Sequence, residues 1–446
     1  MGGVSRGIDR VEVTFDDGTL VADAGLIVPA TLMVRVGLEA LVNQTVRLVG
    51  RVGGALPGRK VCTLIVAILA GGSHIDHADR LRAGATQAVL PFRVMAPSTL
   101  GTFLRAFSFG HVRQLDRVIG ETIRRAWSLG AGPGDSPVTI DVDSTICDVH
   151  GKAKQGAAYG YTKTLGYHPL IATRAETGEV LHARLRKGSA NTQRGVKRFV
   201  EELIARLRRT SATGPVTLRA DAGFYNRDLI NTLTRLGVAW SITVNMNPSI
   251  RKTIAAIDEA AWVDIVYPDG GQAQVAETTY MTGGGATKRA RRHVRLVVRR
   301  SRLTDPNQAQ LWPDWRHHAF VTNVDLPTVE VDQFHRQHAT VELAIRDLKE
   351  GAGLEHAPSG RFFANAAWLA CAVLAHNLIR WTALLGGVHP DDQLTVTRTI
   401  RSRLLALPGR LVNRSRRWTL RLPARWPWAD TFHTALDRIR SLPLLT

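Results

Sequence analysis

A chain of 446 residues that is 44% hydrophobic can bury a sizeable core in two or three domains. Lys and Arg outnumber Asp and Glu by 58 to 38, and the resulting charge of +20 favours a polyanionic partner: DNA, RNA or an anionic membrane, nucleic acid first among them. The three cysteines, Cys62, Cys147 and Cys371, are too scattered for a disulfide framework or a C-x-x-C zinc site, and fit small buried thiols in a reducing cytoplasm.

Taken in chain order, the first 20 residues are polar, carry Asp9, Glu12, Asp16 and Asp17, and do not read as a signal peptide. From residue 26 to about 127 the apolar spacing is helical, with Ser98 or Thr99 placed after Pro97 to cap a helix. Residues 1–130 are thus expected to form a helical N-terminal domain, which either reads DNA ends or is an ordinary packing unit. A linker rich in glycine, residues 129–136, precedes Val138–Ser144, which reads V-T-I-D-V-D-S. Its alternation predicts a strand with Val138, Ile140 and Val142 on one face and Thr139, Asp141 and Asp143 on the other. Two carboxylates beside a core must be paired, solvated or bound to a cation. The loop over 151–163 lacks the G-x4-G-K-[ST] spacing of a nucleotide-binding loop. Strands are expected over 168–173, 180–185, 216–220 and 238–244, and helices over 191–208 and 227–236.

After residue 246 the pattern changes. Residues 247–328 read as a β-rich insertion, with turn signals at 268–271 and 283–285 and a run over 288–302 that holds eight Lys or Arg and no acid. Helices are expected over 331–349 and 361–385. The second is apolar but contains Asn365, His376 and Asn377 between Arg361 and Arg380, so it reads as a buried helix rather than a bilayer span, and no membrane partner is expected. Residues 391–446 form a basic C-terminal tail, with nine Arg and no acid over 398–425. Both basic runs would meet phosphate without reading bases.

The succession strand–strand–strand–helix–strand–helix–strand–helix is that of a ribonuclease H-like core in the α/β class, here split into 137–246 and 329–390 by the β-rich insertion. In that order the first and fourth strands lie side by side. Asp143 on the first, Asp221 at the end of the fourth and Glu342 on the later helix would then converge. Their separations are 221 − 143 = 78 and 342 − 221 = 121 residues. Three carboxylates suit two Mg²⁺ ions, with Mn²⁺ able to substitute, and such a pair serves phosphodiester displacement. Arg346 and Lys349, four and seven residues after Glu342, either bind phosphate beside the metals or form ordinary helix ion pairs. Asp141 is the second candidate ligand, Asp148 reads as a loop acid, and Asp221 before Ala-Gly-Phe also fits a simple turn cap.

D-S-T at 143–145, G-Y-H-P-L at 166–170, R-A-D-A-G-F at 219–224 and the E-x6-K of Glu342 and Lys349 together resemble a DDE transposase of bacterial insertion sequences, the branch called insertion sequence family thirteen-eighty. The resemblance covers roughly residues 60 to 385. It implies a ribonuclease H-like catalytic core, Mg²⁺ dependence and action on terminal inverted repeats, with double-stranded DNA as partner both there and at the target. It also implies a homodimer in the DNA complex and a cytoplasmic, nucleoid-associated bacterial protein. The family signature on the last helix is Y-x2-R-x3-E-x6-K. His335 and His338 stand at its Tyr and Arg positions, and a histidine can still donate to phosphate. His335, Arg336, His338, Arg346 and Lys349 are therefore expected at the DNA. In related enzymes the insertion can offer an aromatic ring to a flipped base; Trp240, Trp262, Trp312 and Trp315 are candidates, core burial being the ordinary alternative. A nuclease or resolvase without strand transfer, and a binding-only relative of a transposase, are the rival readings.

Overall fold

β1 (Val138–Ser144) lies inside a nine-stranded mixed sheet, with neighbours on both sides. On one side it pairs antiparallel with β2 (Leu170–Arg174), which pairs antiparallel with β3 (Val180–Arg184). On the other it pairs parallel with β4 (Val216–Ala220), and β4 parallel with β5 (Ala239–Thr243). The order 3-2-1-4-5 places the first and fourth strands side by side. An interior strand is covered on both faces, which corrects the expectation of a polar face: Val138 through Val142 are all buried, and only Asp143 and Ser144 emerge. The computed structural model describes residues 11–160, 162–267, 271–282, 292–302, 315–388 and 395–445; Asp9, residues 268–270 and 283–285, Lys288 and Trp312 fall outside them.

The inserted strands continue this sheet. β6 (Val263–Ile265), β7 (Gln272–Thr282), β8 (Arg292–Arg302) and β9 (Arg316–Thr322) form an antiparallel run, and β9 joins it to β5. The N-terminal helices are α1 (Ile27–Arg35), α2 (Leu38–Thr45), α3 (Pro57–Leu69), α4 (Pro97–Arg105) and α5 (Phe109–Ala126). α4 has Ala96 at its N-cap and no side-chain cap, unlike the expected Ser98 or Thr99. Proline supplies no N–H and its fixed φ suits the first helical position, so Pro97 itself starts the helix. α6 (Val196–Leu207), α7 (Arg227–Arg235) and α8 (Pro248–Ala255) follow β3, β4 and β5 in turn.

The segment 331–349, expected as one helix, is two. α9 (Thr328–Arg336) and α10 (Thr340–Ala352) are separated by a 3₁₀ turn, Gln337–Ala339. Buried Asp332 pins α9 to the inserted strands through Arg299 at 2.9 Å, whereas α10 packs on β1, β2 and the next helix, α11 (Phe362–Gly386). The turn lets the two halves serve different neighbours. α11 is long and apolar enough to cross a bilayer, yet 89% of its apolar window is buried by α1, α3, α4, α5, α10 and β3. Two of its polar residues bond the backbone beside β3. Asn377 bonds both the N–H and the C=O of Val180, at 2.7 and 2.8 Å, and His376 Nε2 lies 2.9 Å from the Gly178 carbonyl.

The C-terminal residues expected as a basic tail are folded. α12 (Thr397–Ile400) leads into a hairpin, Gly409–Arg414 and Arg417–Arg421, which Leu20–Val21 extends to three strands, and α13 (Ala429–Ser441) packs on α1 and α11.

Candidate active site

Parallel pairing fixes the separation between partners along two strands. In β1 and β4 the partners Asp141–Arg219 and Val142–Ala220 are each 78 residues apart. Asp143 and Asp221 share that separation, so they leave the paired strands at the same level. Asp143 Oδ1 accepts from the Ser144 N–H at 2.6 Å. Asp221 caps a 3₁₀ turn, Ala222–Phe224, accepting from the Gly223 N–H at 3.0 Å. The turn-cap role thus belongs to the same carboxylate that faces Asp143. Glu342 stands exposed in the first turn of α10.

The three acids share one electrostatic neighbourhood. Burial pushes the Asp143 carboxyl up; the Ser144 N–H and His338 pull it down, while Asp221 and Glu342 push it further up, to about 6. Asp221 is also raised, chiefly by burial, with His338 opposing. Among the described residues, Asp143, Asp221 and Glu342 form no ion pair with Lys or Arg, and Arg346, exposed on α10, forms none with Glu342. A buried carboxyl raised by two neighbouring acids, in a set without a Lys or Arg partner, is suited to a hard divalent ion, which takes oxygen ligands. The donor set therefore fits the expected Mg²⁺.

Asp141 is not part of this open set. It is fully buried, and Arg219, 1% exposed, binds both its oxygens at 2.8 Å. Arg219 Nη1 also donates to the Phe334 carbonyl at 2.6 Å, and its guanidinium lies 4.8 Å from the Phe334 ring centroid. His338 Nδ1 is 2.8 Å from Asp141 Oδ1. One arginine thereby ties β1, β4 and α9, the elements that carry or lead to the three acids. Arg219 was not among the residues expected from sequence, although its separation from Asp141 equals that of the two aspartates, which is the signature of one parallel register.

The loop after β1 is braced from two sides. His168 Nδ1 lies 2.7 Å from the Ala190 carbonyl, so it carries the proton, and Nε2 accepts from Ser144 Oγ at 2.9 Å. Lys349 Nζ donates to the Ile146 carbonyl at 2.8 Å. Lys349, expected at DNA phosphate, is thus engaged with the D-S-T loop.

His335 does not reach the expected DNA surface. It is 3% exposed, with Nδ1 2.7 Å from Ser241 Oγ, Nε2 2.9 Å from Thr243 Oγ1 and its ring stacked on Phe320 at 4.0 Å. Burial and neighbouring positive groups hold it neutral, well below its ordinary pKa. Both nitrogens being used inside the sheet, it has no donor left for phosphate. Arg336 turns its Nε to Asp332 at 3.0 Å. His338 is the member of this group that the structure sets beside the acids. Of the tryptophans, Trp240 is buried, and the Trp262 and Trp315 rings both lie against the Arg300 guanidinium, at 4.2 and 4.6 Å.

A second acidic cluster sits elsewhere, where α5, β3 and α6 meet. His182, fully buried and stacked on Phe199, has Nδ1 3.2 Å from Asp116 and Nε2 3.4 Å from Glu202. Arg206 and Arg113 pair with Asp116 at 2.7 and 3.2 Å, and Arg113, Arg184 and Arg198 pair with Glu202. Burial pushes both carboxyls up, but the arginines and His182 more than offset it, leaving both far below the ordinary range. Four arginines already exceed the charge of two carboxylates, which disfavours a divalent cation.

Fold and site together define an α/β protein with uncompensated carboxylates converging at the end of two parallel strands. Over residues 5–444 the sequence matches the family described as Transposase DDE domain group 1, and the chain belongs to that family. It is a transposition enzyme of the DDE type. The fold is similar to a chain in the solved cryo-EM structure of a piggyBac transposase synaptic complex with hairpin DNA, at 12% identity and a TM-score of 0.45, over 86% of this chain and 79% of that one. Comparison with curated proteins finds no match.

Proposed function

We propose that this enzyme is a cut-and-paste transposase of the bacterial insertion-sequence kind, with a ribonuclease H-like core in which Asp143, Asp221 and Glu342 hold two Mg²⁺ ions. The observation that carries the reading is the parallel register that brings Asp143 and Asp221 to the same level at the ends of β1 and β4, beside Glu342 and, among the described residues, with no Lys or Arg paired to any of the three. Bound Mg²⁺ would activate the attacking oxygen and stabilise the leaving oxygen of a phosphodiester, and Mn²⁺ would serve in its place.

The residues of the chain supply position. Ser144 and Gly223 N–H groups aim the Asp143 and Asp221 carboxylates. His168 and Lys349 hold the loop that follows Asp143. The Arg219–Asp141 pair locks the strands beneath. Arg346, exposed one turn from Glu342, is free to meet a phosphate of the bound strand. The net charge of +20 favours the duplex partners, terminal inverted repeats and target DNA, held by a homodimer.

The test uses duplex DNA carrying the inverted repeats that flank the gene. With Mg²⁺, the wild type is expected to cut at the repeat end and join the freed 3′-hydroxyl to target DNA. Asp143→Ala should lose both steps by about a thousandfold or more while still binding the duplex. Survival of both steps in that variant would show the site is wrong; cutting without joining would show a nuclease.

A further inference from the structure

Many of the arginines among the described residues have an acidic partner. On α5 and α6, Arg113, Arg124, Arg125, Arg198 and Arg206 pair with Glu121, Asp116 or Glu202 in their own or a neighbouring element. The C-terminal hairpin departs from that pattern. Its register sets Arg410 opposite Arg421 and Arg414 opposite Arg417. Side chains alternate along a strand, so all four share one face. The other face carries Leu411 and Leu420, packed against the core, which turns the arginines outward. All four are exposed, and among the described residues only Arg410 has an acidic partner, Asp17 at 2.9 Å.

Like charges directly opposite in a sheet oppose pairing. This hairpin contains two such pairs in succession. Its turn adds strain: Ser415 and Arg416 lie in the left-handed region, at φ 51° and 65°. Two-residue hairpin turns of this kind favour glycine and asparagine. An arginine at the second position extends the positive face to the tip. Asp17 offsets Arg410, but among the described residues no acid offsets Arg414, Arg417 or Arg421, and a polyanion would. The segment that leads into the hairpin is tied to α10, the helix that carries Glu342. Thr397 N and Oγ1 donate to Asp347 of α10 at 2.8 and 2.7 Å, and Arg401 donates to the Gly351 carbonyl at the end of the same helix.

We propose that the hairpin Gly409–Arg421 is a DNA-binding ribbon that grips the phosphates of duplex DNA without reading sequence. The two arginine pairs lie four residues apart along the strand, about 14 Å at ~3.4 Å per residue. That is close to the ~12 Å width of a B-DNA major groove, which admits a two-stranded ribbon, so each pair meets one phosphate wall. The proposal rests on the transposase reading for its choice of DNA over other polyanions.

The test measures affinity of the full-length protein for a fluorescein-labelled duplex of random sequence across a salt series. Two fourfold variants are compared, with Arg410, Arg414, Arg417 and Arg421 replaced by Gln or by Lys, each checked by circular dichroism and thermal melting. Each phosphate contact contributes about 0.9 to the slope of log K against log salt, so the Gln variant should lose about 3 to 4 of that slope and the Lys variant should keep it. An unchanged slope in the Gln variant, with the wild type binding duplex, overturns the ribbon and leaves the transposase reading intact. A wild type that does not bind duplex overturns both. Stronger binding to RNA or to phosphatidylserine vesicles than to duplex, lost in the Gln variant, overturns the choice of DNA.

Discussion

Two groups of acids in this molecule have opposite surroundings. Asp116 and Glu202 meet four arginines and a buried histidine, and their carboxyls are held far below the ordinary range. Asp143 and Asp221 meet each other, Glu342 and His338, and their carboxyls are raised. Both groups come from distant parts of the chain, and both look like clusters of metal-ligating residue types. Charge compensation separates them. The first is a closed network tying α5, β3 and α6; the second keeps its negative charge for something that must come from outside. Acidic residue type and proximity alone would choose the other cluster, since among the described residues the set whose ligand atoms lie within 4.8 Å of one another is Asp116, His182 and Glu202.

The sharpest way to probe the open cluster's support is Arg219→Met. It leaves Asp141 buried with only His338, and removing one partner of a buried pair costs about 3–5 kcal/mol. The urea midpoint should fall accordingly, and DNA cleavage should fall with duplex affinity unchanged. A variant as stable as wild type would mean that the pair does not lock β1 to β4. Asp116→Asn breaks the closed cluster in the same way and should cost about 3 kcal/mol, with the Mg²⁺ dependence of cleavage unmoved. A changed metal requirement in that variant would assign the metal to the closed cluster.

The two clusters also predict opposite slopes with pH. Asp116 and Glu202 have native pKa values below their unfolded 3.8 and 4.5, so their stabilisation is present above those values and lost as pH falls further. Asp143 is raised from 3.8 to about 6, so the native state holds its proton more tightly and stability falls as pH rises through that window. Asp143→Asn should therefore melt above metal-free wild type at pH about 7, by on the order of 2 kcal/mol, with the gap closing near pH 4. Equal melting at both pH values would remove the electrostatic argument for the site.

The smallest effect expected is at Lys349. Lys349→Met removes one hydrogen bond to the Ile146 carbonyl, worth about 1 kcal/mol. It should lower the cleavage rate about tenfold or less with duplex affinity held. Loss of affinity at constant rate would return Lys349 to the phosphate role that its spacing from Glu342 suggested.

Much of this was legible in the sequence because strand order is a local property. Alternation marked β1, the apolar run ending at Asp221 marked β4, and their order brought the two together. What stayed hidden depends on partners far along the chain. Asp141 and Asp143 look equivalent on β1 until Arg219 takes one of them. His335 reads as a DNA contact until Ser241 and Thr243 of β5 are seen to use both its nitrogens. The 3₁₀ turn at Gln337–Ala339 is invisible in spacing, because the helix breaks to satisfy Asp332 on one side and α11 on the other. The arginines of residues 398–425 were legible as charge, but their placement opposite one another needed the hairpin register.

The central claim is that the uncompensated acids, and not the compensated ones, hold the divalent ion. Calorimetric titration of Mn²⁺ into wild type, Asp143→Ala and Glu202→Gln tests it most directly. Binding should be present in wild type, lost in Asp143→Ala and retained in Glu202→Gln. Retention in Asp143→Ala together with loss in Glu202→Gln would contradict it.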